Sequence, residues 1–194
     1  MAADISRKQA AKKFVERWQA EECNEDRQAR SFWIELAQDV LGISNPTHVL
    51  DFERKVKGRK IDVFYEDMGV LVEQKSRGVS LDEKSVRSKK VGEETPYQQA
   101  KWYADNLPYS VRPRWLVVSN FDEIRVHDLD IEDPEHDYVT MTLDELPEQL
   151  HLLGFLTDRS ASRLVKEQEL SVRAGEIVGR LYKSLAAQYR NIDT

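Results

Sequence analysis

The stretch "KIDVFYEDMGVLVEQKS", residues 60–76, brings two carboxylates and a lysine close together along the chain. Two short apolar runs flank a Glu-Asp-Met-Gly turn. Each run carries a carboxylate, Asp62 or Glu73, where the alternation favours a neutral side chain. If the central Asp-Met pair forms a two-residue hairpin loop, Asp62 lies directly opposite Glu73, and Lys75 shares their face. The spacing therefore predicts a charged cluster on one face of a sheet.

A second turn extends this cluster. A turn at residues 57–58 places Glu53 opposite Asp62, so that three carboxylates form a row across three strands. Like charges that face each other with Cβ atoms about 5 Å apart destabilise a sheet. Mg²⁺ compensates for this repulsion, because it binds one or two carboxylates plus waters and leaves room for a phosphate oxygen. With Lys75 beside the attacking water, the row predicts phosphodiester hydrolysis, and Glu53 and Glu35 are lesser candidates for an auxiliary carboxylate.

The elements that must position these residues are helices and short strands. Two helical patterns open the chain, and the second of them ends at Gly42. Three β-branched and aromatic runs then predict a three-strand meander, and the polar stretch from Arg77 to Glu94 predicts a loop. After a helix that begins at Pro96, the runs "RWLVVSN" and "EIRVHDL" predict two neighbouring strands. The pattern indicates an α/β fold with a mixed sheet of about five strands flanked by helices, and a C-terminal helical extension from about Ala161.

The predicted helix "PYQQAKWYADNL" carries two further candidates. Gln99 and Tyr103 are four residues apart and therefore lie on one helix face. Gln and Tyr are common on helix surfaces, and packing alone could account for them. Their place after a strand that ends in Glu-Gln-Lys favours a role beside Lys75.

Charge limits the kinds of partner. The chain of 194 residues has a formal net charge of −6, so no overall positive field attracts a polyanion. A local patch, "KSVRSKK", has the clustered Lys and Arg residues that are typical of phosphate binding, but a solvated loop accounts for this charge equally well. Candidate DNA-binding residues in and near it are Arg77, Lys84, Arg87, Lys89 and Lys90. A single cysteine, no apolar stretch of bilayer length and no signal peptide predict a cytoplasmic protein without membrane contact.

The residues described so far resemble a known nuclease signature. Asp62, ten intervening residues and "EQK" have the form of the PD-(D/E)xK motif, with Ile61 in place of the proline. Gln99 and Tyr103 resemble the QxxxY motif that follows the catalytic lysine in type I restriction subunits and RecB-like nucleases. The ordered segments "FWIELAQDVLG", "DFERKV", "PYQQAKWYADNLP" and "RPRWLVVSNFDEIRVHDL" are similar to the N-terminal nuclease domain of MmeI-like type IIL restriction-modification enzymes.

This resemblance implies a restriction-endonuclease-like domain over residues 1–158 and the start of a helical spacer over 159–194. It implies a Mg²⁺ or Mn²⁺ ion held by Asp62, Glu73 and the backbone carbonyl of Gln74. Lys75 would orient or help deprotonate the attacking water. Gln99 and Tyr103 would position the DNA backbone or support Lys75. Double-stranded DNA is the implied partner, and a dimer would allow cleavage of both strands.

The same family implies a parent enzyme with an N6-adenine methyltransferase that uses S-adenosylmethionine. The segment "SNPTH" is not the NPPY-type methyltransferase motif, and no glycine-rich S-adenosylmethionine loop follows a strand. We therefore expect the methyltransferase and the DNA-reading parts to be absent from this chain, which looks like an excised domain or a truncated relative.

Two other functions remain as alternatives. A non-catalytic DNA-binding or protein-interaction module could keep the same fold, but a degenerate site has no reason to retain facing like charges. A Ser/His or Cys/His hydrolase is disfavoured, because the histidines occur in acidic or loop contexts without a spaced nucleophile. These histidines are His48, His127, His136 and His151.

Overall fold

The computed structural model describes residues 2–88, 92–158 and 178–184. The chain divides into two compact units, Met1–Thr157 and Asp158–Thr194. In the second unit, the described residues 178–184 form a helix, and the rest of the predicted spacer lies outside the described residues. The functional division into endonuclease domain and spacer stays a prediction. No helix in the described part of the chain has the length and apolar character needed to cross a bilayer.

A six-stranded mixed sheet forms the centre of the first unit. Its strands follow the spatial order β1-β2-β3-β6-β7-β8, and β3 and β6 are its parallel pair. Two further strands, β4 and β5, pair in a separate small sheet. The strand bounds are β1 (Asp51–Val56), β2 (Arg59–Tyr65), β3 (Val70–Gln74), β4 (Ser85–Ser88), β5 (Gly92–Glu94), β6 (Trp115–Ser119), β7 (Glu123–Asp128) and β8 (Tyr138–Thr142).

Helices cover both faces of this sheet. They are α1 (Ala2–Gln19), α2 (Glu25–Glu35), α3 (Pro46–Val49), α4 (Pro96–Asn106) and α5 (Leu146–Gln149). A π-helical turn, Leu36–Val40, continues α2. Phe14 and Trp18 of α1 are buried with Phe32 of α2 in one core, whereas Ala100 and Tyr103 of α4 belong to a second core. The sheet therefore lies between two helical layers.

Strand β3 contributes to both cores. Val70, Leu71 and Val72 are all buried; the two valines belong to the core with α1 and α2, and Leu71 belongs to the core with α4. This follows from the two-residue period of a strand, which sends successive side chains to opposite faces. The same period sends Glu73 toward α4 and Gln74 toward α2.

The predicted mixed α/β fold is confirmed, and it is consistent with a nuclease-like core. The sheet has six strands where about five were predicted, because "YVTMT" was not recognised as β8. This strand lies at the sheet edge and buries only Met141, so it lacks the apolar run of a central strand. The predicted loop from Arg77 to Glu94 also contains β4 and β5.

Candidate active site

The β2–β3 hairpin determines the position of the two carboxylates. Its loop spans residues 66–69 and so is longer than the predicted two-residue loop: a 3₁₀ turn, Glu66–Met68, precedes Gly69, whose φ is 65°. Both loops have the same centre, so the predicted register is unchanged, and Val63 pairs with Val72. The pairing of the two strands ends at this pair, and Asp62 and Glu73 are the next residues along the two strands. The Asp62 carboxylate accepts a hydrogen bond of 2.8 Å from the backbone N–H of Gln74.

Glu73 is fully buried and interacts with two polar side chains. The ammonium of Lys75 lies 2.6 Å from Glu73 Oε1. The side-chain amide of Gln99 donates to the same carboxylate oxygen, and its own oxygen accepts from Lys75 Nζ at 3.2 Å. These three side chains therefore form a closed triangle. A buried carboxylate is stabilised in this way by charge-assisted hydrogen bonds that replace its hydration.

Helix α4 brings Gln99 into this triangle. A capping box starts the helix: the Thr95 hydroxyl accepts from Gln98 N–H, and the Gln98 side chain accepts from Thr95 N–H. Gln99, in the first turn, is only 4% exposed. Tyr103 lies one turn further on and is fully buried in the α4-side core with Phe64. The structure therefore places Gln99 among the charged residues and Tyr103 in the apolar layer that supports them.

Gln74 points to the opposite face of the sheet. Its side-chain oxygen accepts a 2.9 Å hydrogen bond from the indole N–H of Trp33 on α2. Its side-chain amide donates to the backbone carbonyl of Lys75, also at 2.9 Å. The Gln74 side chain is thus directed away from Asp62 and Glu73, and only its backbone is close to them.

The two proposed auxiliary carboxylates do not join the site. The register places Glu53 opposite Asp62, but its φ of 57° turns the side chain to solvent, where Lys60 binds it at 2.6 Å and lowers its pKa. Glu35 is bound to Arg17 at 2.7 Å. Within the described ranges, no three His, Cys, Asp or Glu side chains are grouped to hold a metal ion. The structure therefore places neither Glu53 nor Glu35 beside Asp62 and Glu73, and their role as auxiliary carboxylates stays a prediction.

Arg77 does not present a free cation either. Its guanidinium donates to the carbonyls of Trp18 and Glu21 and is bound to Asp122 at 2.7 Å. It therefore connects the chain just after Lys75 to the end of α1, to the α1–α2 connection and to the β6–β7 turn. Its predicted role in DNA binding is not supported by this placement.

The other basic candidates lie around the β4–β5 hairpin. Lys84 is exposed immediately before β4, and the backbone of Arg87 belongs to β4. Lys89 and Lys90 lie outside the described residues. The binding of DNA by these residues stays a prediction.

Sequence reasoning did not identify three residues next to the site: Trp33, Glu25 and Ser76. Trp33 and Glu25 lie on α2 and bond to Gln74 and Ser76, the neighbours of Lys75. Glu25 and Ser76 exchange two hydrogen bonds of 3.1 Å, from Glu25 N–H to Ser76 Oγ and from Ser76 N–H to the Glu25 carboxylate. Their separation of 51 residues gives no local pattern. Only the tertiary fold reveals this pair, because helical and strand periodicities report on a single element.

A cavity of about 310 Å³ lies on the sheet face that carries Glu73. Its lining includes Val118, the β6 partner of Glu73. Arg125 in its floor is held by Asp82 at 2.6 Å and by Glu123 at 2.6 Å. His127 lies between the rings of two tyrosines, with centroids 4.5 and 4.8 Å away. The polar and aromatic groups of this cavity are thus largely engaged with one another.

The comparisons with known proteins give a family. A family model described as "MmeI, N-terminal domain" matches residues 7–188. Searches of curated proteins and of solved structures found no match. The family match indicates a part of a restriction-modification enzyme, and it covers nearly the whole sequence together with the β2–β3 hairpin and α4. The chain therefore belongs to the MmeI N-terminal domain family.

Proposed function

We propose that this domain is a Mg²⁺- or Mn²⁺-dependent endonuclease that hydrolyses phosphodiester bonds in double-stranded DNA. The observation that carries the proposal is the triangle of Glu73, Lys75 and Gln99 beside Asp62. Two carboxylates from adjacent strands share one face with a partly buried lysine. A structural role alone does not require this arrangement, because an apolar set of similar volume would stabilise the core at least as well.

The oxygen donors of the site fit a hard divalent cation. Asp62 and Glu73 would supply carboxylate oxygens, and Gln74 would supply its backbone carbonyl, since its side chain faces α2. When bound, such an ion lowers the pKa of a coordinated water and stabilises negative charge that develops on the phosphate. Glu53 and Glu35 are not part of this proposal.

Lys75 provides the positive charge of the site. Its ammonium lies 2.6 Å from Glu73 and 3.2 Å from Gln99, so the direction of its flexible side chain is fixed before any substrate binds. A cation held in this way can orient the attacking water and stabilise charge in the transition state. Gln99 sets the relative positions of Glu73 and Lys75, and Tyr103 supports α4 from within the core.

Weak, sequence-independent DNA binding is the expected property of this domain. The net charge of −6 repels a polyanion, and Arg77 is engaged within the fold. Lys84, Arg87, Lys89 and Lys90 remain the proposed phosphate contacts, and we propose that two domains act together when both strands are cut. A non-catalytic binding module would show the same binding without any effect of Asp62 or Lys75.

The metal site is tested by Asp62→Ala, with Asp67→Ala in the hairpin loop as the matched control. A ligand that binds only the folded state stabilises it, by about 2.7 kcal/mol at a concentration of about 100 times its Kd. Mg²⁺ or Mn²⁺ should raise the melting temperature of the wild type and of Asp67→Ala, but not that of Asp62→Ala. An equal response of all three proteins would contradict the proposed metal site.

A further inference from the structure

The segment that carries Lys75 is held from the far side of the sheet by the N-terminal helices. Gln74, Ser76 and Arg77 all bond to α2 or to the connection that precedes it. Lys75 lies between them and points the other way, toward Glu73 and α4. Its own backbone N–H donates to the carbonyl of Ser119 on β6 at 2.7 Å.

Trp33 provides the first anchor. Its indole N–H donates to Gln74 Oε1 at 2.9 Å, and both side chains are buried. Gln74 in turn bonds to two of the proposed site residues. Its side-chain amide donates to the carbonyl of Lys75, and its backbone N–H donates to the Asp62 carboxylate. The Trp33 ring packs edge-on against Phe32, with centroids 5.4 Å apart, so the donor is fixed in the main core.

Glu25 provides the second anchor, at the start of the same helix. It exchanges two hydrogen bonds of 3.1 Å with Ser76, and the next residue along the chain, Arg77, donates its backbone N–H to the carbonyl of Cys23 at 2.9 Å. The side chain of Asn24 caps the helix by accepting from Asp26 N–H at 3.0 Å, which fixes the first turn that carries Glu25. Helix α2 therefore holds the residues on both sides of Lys75.

We propose that Trp33 and Glu25 are positioning residues that set the geometry of Lys75 and Asp62 through Gln74 and Ser76. The inference rests on the proposed function. Anchoring both neighbours fixes the backbone direction at Lys75, and the Gln74 bond fixes the Asp62 carboxylate. A displacement of about 1 Å at a reacting group lowers a rate by up to about 100-fold, so small changes in these anchors have measurable effects.

Trp33→Phe tests the first anchor, because it keeps an aromatic ring and removes the N–H donor. Trp18→Phe is the matched control: Trp18 lies in the same core and donates a 3.2 Å hydrogen bond to Glu35, away from the site. With the whole chain, Mn²⁺ affinity is measured by titration calorimetry, and DNA cleavage at saturating Mn²⁺ is measured against pH. We expect Trp33→Phe to weaken Mn²⁺ binding several-fold and cleavage about tenfold, and Trp18→Phe to change neither.

Ser76→Ala tests the second anchor by removing the oxygen that accepts from Glu25. Ser80→Ala is its control, because the Ser80 hydroxyl accepts from two backbone N–H groups, of Asp82 and Glu83, outside the site. Ser76→Ala should reduce cleavage and shift its pH profile, whereas Ser80→Ala should not. Neither of these two serine changes alters a core side chain. If Trp33→Phe does not fold, the comparison of Ser76→Ala with Ser80→Ala therefore tests the inference by itself.

A double-mutant cycle separates positioning from general stability. If Trp33 acts through Gln74, Trp33→Phe combined with Gln74→Met weakens Mn²⁺ binding no more than Gln74→Met alone. The inference is overturned if Trp33→Phe and Ser76→Ala bind Mn²⁺ and cleave as the wild type does. A wild type that binds no Mn²⁺ overturns the proposed function instead, and this inference with it.

Discussion

The two faces of the sheet bury different kinds of residue. On the α1/α2 face, the rings of Phe14, Trp18, Phe32 and Phe121 contact one another, with centroid distances from 4.9 to 6.2 Å. On the α4 face, a smaller core ends at a buried carboxylate and amide, Glu73 and Gln99. One face therefore packs mainly apolar rings, and the other carries the candidate site next to helix α4, which supplies the polar side chain of Gln99.

The end of β3 shows how this difference arises. Glu73 and Gln74 are adjacent and both fully buried, yet Glu73 meets α4 and Gln74 meets α2. The two-residue period of the strand separates Glu73, the proposed metal ligand, from the Gln74 side chain, which is held by α2. A register shift of one residue would exchange these roles and leave a carboxylate in the aromatic core. Substitutions at neighbouring positions of β3 should therefore have different consequences, which depend on the face that each side chain reaches.

The largest effect is expected for Lys75→Ala. Loss of a positioned general acid-base or charge-stabilising group lowers a rate by about 10²–10⁴-fold, while the fold and the carboxylates remain. Lys101→Ala removes a lysine from the surface of α4, where it pairs with Asp105, and is the control. DNA cleavage by the whole chain in Mn²⁺ should fall only for Lys75→Ala. If Lys75→Ala cleaves DNA at the wild-type rate, Lys75 has no role in the mechanism.

The next effect concerns stability and belongs to the other face. Phe14 is 2% exposed and packs against Phe32, so Phe14→Ala should destabilise the fold by about 3–5 kcal/mol, measured by urea unfolding. Under conditions where the variant is still folded, its Mn²⁺ affinity should equal that of the wild type. A parallel loss of metal affinity would show that the anchors at Trp33 and Glu25 depend on the whole aromatic core and not only on their own hydrogen bonds.

Much of the fold and the central part of the site could be predicted from the sequence. The periodicities of strands and helices determine which residues share a face, and the hairpin register survives a change from a two-residue to a four-residue loop. Asp62, Glu73, Lys75 and Gln99 were identified on this basis and through the family resemblance. The structure brings these four residues together.

The remaining features depend on tertiary contacts that periodicity does not encode. The backbone conformation of Glu53 turns its carboxylate to solvent, and Arg17 engages Glu35. Arg77 was assigned to DNA because of its charge, but it binds carbonyls more than 50 residues away in sequence. Strand β8 was missed because an edge strand buries few residues and shows little alternation.

Gln99→Leu should have an intermediate effect, because it removes polar contacts and keeps the volume of the side chain. Glu73 then loses an amide donor and Lys75 loses an acceptor, at a cost of about 1–3 kcal/mol for buried polar groups. We expect Mn²⁺ affinity and cleavage to fall. Gln98→Leu, one position earlier on α4, should weaken the capping box without changing either measurement. Equal effects of the two variants would assign Gln99 to helix stability alone.

The smallest expected effect is a pH dependence of folding stability that arises from two histidines lining the cavity, His127 and His136. His127 on β7 is 2% exposed, and burial lowers its pKa from the usual value near 6.5. Its Nδ1–H donates to the carbonyl of Pro134 at 2.7 Å, which opposes the shift, and nearby Arg125 favours it. His136 is the opposite case, because its ion pair with Asp133 raises its pKa.

The direction in which each histidine changes folding stability with pH follows from how many protons the folded and unfolded chains bind there. Between the lowered pKa of His127 and about 6.5, the unfolded chain binds a proton at this residue that the folded chain does not, so stability falls with falling pH. His136 contributes stability that is present below about 6.5 and lost as pH rises through its raised pKa. The free energy of unfolding in urea, measured from pH 8 to 5, should therefore fall less steeply in His127→Phe than in the wild type. It should fall more steeply in His136→Phe. Parallel curves for all three proteins would show that neither histidine changes protonation on unfolding.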